Sequence, residues 1–394
     1  MISPLVSIKN MGVICSLGDN KQDVLDGLLS GSVDGMKQTE PLIKGKRMYV
    51  GKVDSTLLSV PTNLIDYNCR NNKFIVAAYE QIRDDIEQAK IKFGSDRVGV
   101  IIGTSTSGIS EGEKAVEWQL RENALPTGYN YRQQEIGSPA EFLAKLAGIS
   151  GPAYTVSAAC ASSTKAFAPA KRLIETGVID ACITGGSDSL CRLTLNGFDS
   201  LDSVSEQICN PFSRNRNGIS IGEGAALFLL QKGEGETLLL GVGESSDAHH
   251  ISAPHPEGTG AEMAMASALS DAGLKPEDIG YLNLHGTATP LNDLMESKAV
   301  GRIFGKNVPC SSTKPLTGHA LGAAGALEAG FCWLVLSKMN KQKKLPPHCW
   351  DGEKDDELFQ VNLVDKNACL ESSVLMSNSF AFGGSNASVI IGSK

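Results

Sequence analysis

What the chain lacks narrows it first. None of its ten cysteines is spaced as CxxC, and the closest pair, Cys182 and Cys191, lies nine residues apart. That scatter argues against a disulfide framework or a thiol-ligated zinc site and predicts reduced thiols in a cytoplasmic protein. No basic stretch followed by an apolar run opens the sequence, so a signal peptide is not expected. The longest apolar stretch, Ala320–Met339, carries Glu328 and begins with small residues, which suits a buried helix rather than a membrane span. The glycines of Ile221-Gly222-Glu223-Gly224 have neither GxGxxG spacing nor a GK[ST] ending, so no NAD or ATP site is expected. No cluster has metal-ligand spacing, and a net charge of −8 gives no reason to expect nucleic acid.

What is present is an ordinary globular composition, 41% hydrophobic and 20% charged over 394 residues, long enough for two fused halves. Strand-like runs at Arg97–Ile102, Tyr154–Ser157, Asp180–Thr184, Ala225–Leu230, Thr237–Val242, Ile279–Leu284, Val374–Ser377 and Ala387–Ile391 alternate with helical patterns, which predicts an α/β fold. The charged, glycine-rich GEGE at 233–236 divides the chain into residues 1–232 and 233–394.

Cys160 stands in TVSAACASS, where a β-rich run gives way to small residues able to begin a helix. A thiol at a helix N-terminus is expected to have a lowered pKa and to act as a nucleophile. Three clusters follow predicted strands downstream. His285 opens HGTATPLND, Lys314 and His319 lie in TKPLTGHALGAAGALEA, and NSFAFGG spans 378–384. Open α/β sheets gather their functional groups at such strand ends, so one cysteine and two histidines form a candidate site for covalent catalysis. Glu328 is the lone acid of its apolar helix, and a partner is expected for it. Pro169, nine residues past the cysteine, is expected to kink the helix that follows.

These motifs, in this order and together with PFSRNRNGISIGEGA at 211–225, closely resemble the elongating β-ketoacyl-acyl-carrier-protein synthases, condensing enzymes of the thiolase superfamily. The resemblance runs from VSIKNMGVICSLG to the terminal ASVIIG. It implies two similar βαβαβαββ halves in a five-layer αβαβα arrangement. It also implies decarboxylative condensation of carrier-bound acyl groups with malonyl-carrier protein through an acyl-enzyme on Cys160. By the same resemblance His285 and His319 hydrogen-bond the malonyl thioester, with Lys314 and Glu328 as support. Backbone N–H groups of Cys160 and Phe382 form an oxyanion hole. Phe380, Ala381, Phe382, Gly383 and Gly384 make a gate, and Thr287 and Thr289 hold the pantetheine arm. No resident cofactor is implied, since phosphopantetheine arrives on the acyl-carrier protein.

Several positions depart from the family pattern. Asn217 and Ile219 replace an aspartate and a phenylalanine, and Ala381 replaces a glycine between two phenylalanines, where it would penalise a positive φ. These suggest a specialised member of an aryl-polyene or polyketide-like pathway. An acidic carrier protein meeting an acidic chain requires a local basic patch, for which Arg70, Lys73, Arg121 and Arg132 are candidates. The expected assembly is a dimer, either of two copies or with a homologous synthase or chain-length-factor subunit. Two rival readings are a non-condensing subunit of such a heterodimer and a condensing enzyme using coenzyme A. Retention of Cys160 argues against the first and the two-histidine motifs against the second.

Overall fold

The structure, a computed structural model, describes residues 4–43 and 45–393. Fourteen strands are assigned among them. In the first half these are β1 (Val6–Cys15), β2 (Met36–Gln38), β3 (Tyr49–Gly51), β4 (Val98–Gly103), β5 (Ala153–Val156), β6 (Ala181–Asp188), β7 (Ile221–Gly222) and β8 (Gly224–Lys232). In the second half they are β9 (Thr237–Ser246), β10 (Tyr281–Asn283), β11 (Pro309–Ser311), β12 (Asn362–Leu363), β13 (Val374–Phe380) and β14 (Ser385–Ser393).

The short strands β2, β3 and β7 form a small sheet of their own. The remaining first-half strands run in the order β5-β4-β6-β8-β1, with β8 antiparallel to both neighbours and β4 parallel to β5 and β6. The second half repeats this. Its order is β11-β10-β13-β14-β9, β14 is the antiparallel strand, and β12 is added at the outer edge. Counted by appearance, both sheets read third, second, fourth, fifth, first. The duplication that gives no strong sequence repeat is therefore plain in the topology. The sheets join edge to edge through a single residue pair, Ser7 with Leu238.

Eleven α-helices among the described residues complete the five layers. Helices α2 (Arg70–Glu80), α3 (Arg83–Phe93) and α5 (Ser138–Ala147) cover the outer face of the first sheet, while α8 (Thr259–Ala272) and α9 (Pro290–Phe304) cover that of the second. Helices α6 (Ser162–Glu175) and α11 (Ala324–Leu336) lie between the sheets and touch both. α1 (Lys21–Ser30) packs on β1 and α11, α4 (Ile109–Glu122) meets α7 (Arg192–Ser200), and α10 (Lys314–Thr317) is a single turn after β11. Being sandwiched explains the composition of α11. Eleven of its thirteen residues are buried, so it is apolar all round, and Glu328 has no route to water. Helix α6 continues through Pro169 without a break in its hydrogen-bonded span. Pro169 and Lys165, whose carbonyl loses its bond, lie on the partly exposed side, where the ring has room and water can satisfy the oxygen.

One expected docking residue is a structural strut instead. The Arg70 guanidinium reaches Glu223 by Nε (2.9 Å) and Nη2 (2.5 Å) and the Val53 carbonyl at 2.9 Å. Glu223 is buried and also accepts from Val53 N and Leu190 N, tying α2, β7 and the loop after β6 together. We expect Arg70→Ala to leave a buried carboxylate without its counter-ion and to lower stability by about 2–3 kcal/mol, the usual cost discounted for the partial exposure of Arg70. Urea denaturation checks this, and an unchanged midpoint would remove Arg70 from the core framework.

Candidate active site

The chain leaves β5 and turns sharply before α6. The turn is made by Ala159, which holds φ at +46°, an unusual value for a residue with a Cβ. The Ser162 hydroxyl fastens it, accepting from Ala158 N at 2.8 Å and donating to Ala159 O at 2.5 Å. Cys160 sits at the apex, buried, two residues before the first turn of α6.

The second half supplies the rest. His285 follows β10 by two residues, and its N–H and that of Gly286 both donate at 2.7 Å to the Glu296 carboxylate of α9. His319 is gripped by the small sheet, donating from its backbone N to Ser220 O at 2.7 Å and accepting at its carbonyl from Gly222 N at 2.9 Å. Gly318 permits this contact. It holds φ at +66°, and a Cβ there would stand 2.5 Å from the Ile221 carbonyl oxygen. Lys314 Nζ donates to His285 O and to Glu328 Oε1, both at 2.5 Å, so Glu328 has the partner its position demands. The two imidazoles meet edge to face, 5.2 Å apart at 85°, and His285 also packs on Phe380.

Cys160, His285 and His319 line one cavity of about 180 Å³ with Thr287, Thr289, Phe380, Ala381 and Phe382. Both ring nitrogens of His319 and Nδ1 of His285 have no hydrogen-bond partner there. Burial, then the Lys314 charge, holds both imidazoles well below the usual histidine range, so they are neutral; at His285 its neighbour His319 adds to the effect. The thiol differs from expectation. Burial pushes Cys160 up to about 12, against a smaller lowering by Lys314, because the sulfur lies short of the helix N-terminus and inside an apolar wall.

The loop of residues 380–384 is cross-braced. Gly383 N donates to Ile251 O, and Asp247 N to Gly384 O, both at 2.8 Å, while Asn386 reaches the Asp247 carboxylate at 2.7 Å. Ala381 lies in extended backbone at φ −108°, so the expected strain is absent; the left-handed positions are Gly383 and Gly384. Phe382 stacks at a tilt on Phe198 of α7, 5.5 Å between centroids. Glu296, Asp247 and Phe198 were not singled out from the sequence. Glu296 left a signal, an acid one turn beyond Asp293 at the start of a helix, on the side facing back to its own entry loop.

None of the proposed docking residues lines this cavity. Arg132 bonds the Tyr67 hydroxyl and lies over its ring, Arg121 pairs with Glu117 at 3.9 Å, and Lys73 borders a separate cleft with Arg70, Glu111 and Lys114. Arg70, a third exposed, is paired with Glu223, and the four residues lie away from the lining of this cavity.

The sequence matches the family models described as β-ketoacyl synthase, N-terminal domain, over residues 5–235, and β-ketoacyl synthase, C-terminal domain, over residues 237–349. It is 34% identical to the 3-oxoacyl-[acyl-carrier-protein] synthase 2 of Staphylococcus aureus over 337 residues, covering 80% of this chain and 82% of that protein. It is 30% identical to the protein of the same description in Synechocystis sp., over 98% of this chain and 97% of the relative. Among solved structures it superposes with a TM-score of 0.95 on a chain of the Xenorhabdus doucetiae complex of a ketosynthase (ApeO) with its chain length factor (ApeC), 46% identical over 99% of this chain and 98% of that one.

A thiol raised this far carries little thiolate at neutral pH. Alkylation of Cys160 by iodoacetamide should rise about tenfold per pH unit from pH 7 to 9 with no plateau. Peptide mapping of the labelled cysteine measures it, and a rate that bends over with its midpoint at about pH 8.5 would show an unshifted thiol.

Proposed function

The chain belongs to the β-ketoacyl synthase family, and on that footing we propose that Cys160, His285, His319 and Lys314 carry out a decarboxylative condensation on acyl groups delivered by an acyl-carrier protein. The observation that supports this best is the shared cavity, where two neutral imidazoles with unpartnered ring nitrogens stand beside one buried thiol. Cys160 Sγ attacks the acyl thioester, a new C–S bond forms, and the pantetheine thiol leaves with the proton relayed by an imidazole. Malonyl thioester then enters. Its carboxylate leaves as carbon dioxide, and the electron pair of the broken bond becomes an enolate whose oxygen the histidines hold by hydrogen bonds. That carbon attacks the acyl-Cys160 carbonyl, and the sulfur departs to regain its proton.

Donors fixed in a dry cavity suit this chemistry because they need no reorganisation when charge develops. Lys314 positions His285 through the latter's carbonyl and leaves both rings neutral, able to donate without carrying a charge. Thr287 and Thr289, 3.1 Å apart by their hydroxyls, line the path of the pantetheine arm. The backbone N–H groups of Cys160 and Phe382 serve the oxyanion, and Phe380 to Gly384 form the gate. All these groups belong to the chain itself, so the reaction requires no resident cofactor. The described residues hold no helix long and apolar enough to cross a membrane, and the ten cysteines are free thiols, which suits a cytoplasmic enzyme.

Strand β5 is an edge strand with Ala153 and Tyr154 exposed, three residues before the nucleophile turn. An uncovered edge of this kind invites strand pairing. We place a partner subunit there, a second copy or a homologous chain-length-factor subunit, and favour a specialised polyketide-like pathway, in keeping with the 46% identity to the ApeO–ApeC complex.

Incubated with acyl-carrier proteins, the parent should gain one acyl mass by intact-protein mass spectrometry, and Cys160→Ala should gain none. His285→Ala should still acylate yet decarboxylate malonyl-carrier protein about 10²–10³-fold more slowly. An adduct on Cys160→Ala would displace Cys160 as nucleophile. In multi-angle light scattering the active species should be a dimer, alone or with its homologous subunit, and an active monomer would remove β5 as the interface.

A further inference from the structure

Asp188 closes strand β6 at the level of the nucleophile, and nothing in the chemistry above uses it. It is fully buried, yet its carboxylate is saturated with donors. Thr104 Oγ1 (2.5 Å), Ser105 N (3.0 Å), Thr106 N (2.9 Å) and Thr106 Oγ1 (2.8 Å) all donate to it. Register explains the meeting. Gly103 of β4 pairs with Gly186 of the parallel β6, so two residues further on Ser105 comes level with Asp188. Gly322 seals the contact, since a Cβ there would stand 2.5 Å from Ser105 N and 2.6 Å from the carboxylate.

The loop held in this way aims one side chain across the sheet. Ser105 Oγ donates to the Ala159 carbonyl at 2.8 Å, and the Ser162 hydroxyl donates to the same oxygen from the other side. That oxygen and the Cys160 N–H share a peptide plane and point in opposite directions. Ser162 N also donates to this oxygen at 3.1 Å, so the oxygen is held from within the turn by Ser162 and from outside it by Ser105 alone, and together these fix where the N–H is aimed. The plane needs holding, because Ala159 sits at positive φ, from which an alanine would relax.

We propose that Ser105, seated by Asp188, is a positioning residue that orients the Cys160 N–H as an oxyanion donor. This rests on the acyl-transfer reading of the site. It places the aim of the nucleophile's N–H in a clamp whose hydrogen bonds all come from the first half, between β4, β6 and the turn before α6, with Gly322 of the second half packed against it. Asp188 also raises the Cys160 thiol through its charge, so Ser105→Ala is the cleaner variant because it removes only the hydroxyl.

Two rates separate orientation from general damage. Acylation of Cys160 by acyl-carrier protein develops an oxyanion, whereas alkylation by iodoacetamide displaces iodide from carbon and develops none. In the dimeric enzyme, Ser105→Ala should slow acylation roughly 10- to 100-fold and leave alkylation within about twofold of the parent. Ser107→Ala serves as the loop control, since the Ser107 hydroxyl bonds Glu135 O and not the turn, and both its rates should match the parent. Unchanged acylation in Ser105→Ala, or an equal fall of both rates, overturns the clamp while the reaction assignment stands. A parent that forms no acyl-enzyme overturns that assignment and the clamp with it.

Discussion

The site depends on one buried ammonium. Lys314 Nζ lies between the Glu328 carboxylate and the His285 carbonyl, and in doing so ties the end of β11, the middle helix α11 and the end of β10 into one unit. A buried pair of this kind adds little net stability, since desolvation offsets its attraction, but breaking it would strand a charge in the core. What it secures is arrangement. Burial keeps both imidazoles unprotonated, the same cation adds to that effect, and it works against the rise of the Cys160 thiol. Glu328 is in turn raised by its burial and lowered by Lys314, so each partner limits what the other costs.

The architecture explains why the reacting groups come from distant stretches of chain. Two sheets of the same strand order lie side by side, and the parallel strands of each end towards a common place. Cys160 is carried there by the loop after β5, the histidines by the loops after β10 and β11. The middle layer of α6 and α11 packs both sheets at once, so the relative placement of the halves is set by a dry interior. A single strand pair could not do this alone.

Much of this was legible in the sequence, for a physical reason. Cys160, His285 and Lys314 each follow a strand closely, and His319 follows the one-turn helix after β11, all in local runs of small and turn-forming residues. The Glu328 pair was legible because a lone acid in an apolar helix has nowhere else to go. What could not be read was long-range register. Ser105 and Asp188 are neighbours only because β4 and β6 pair in one particular alignment, and no local pattern announces it. Charge was the least legible feature, since Arg70 in sequence is a basic residue near other basic residues and in the fold belongs to Glu223. The thiol misled for a related reason. A helix begins where expected, but the sulfur stops two residues short of it and meets desolvation instead.

The three orphaned imidazole nitrogens carry one more consequence. No protein group satisfies these atoms, which keeps them free to bond whatever occupies the cavity. Replacing a histidine by an apolar side chain of similar size would take that polar lining out of the core while ending the chemistry. Selection for heat resistance would press on these positions in the direction opposite to selection for turnover. Robustness in a relative must come from elsewhere, in the outer helices or the partner interface, and the pocket would stay as the soft spot of an otherwise tightly packed molecule.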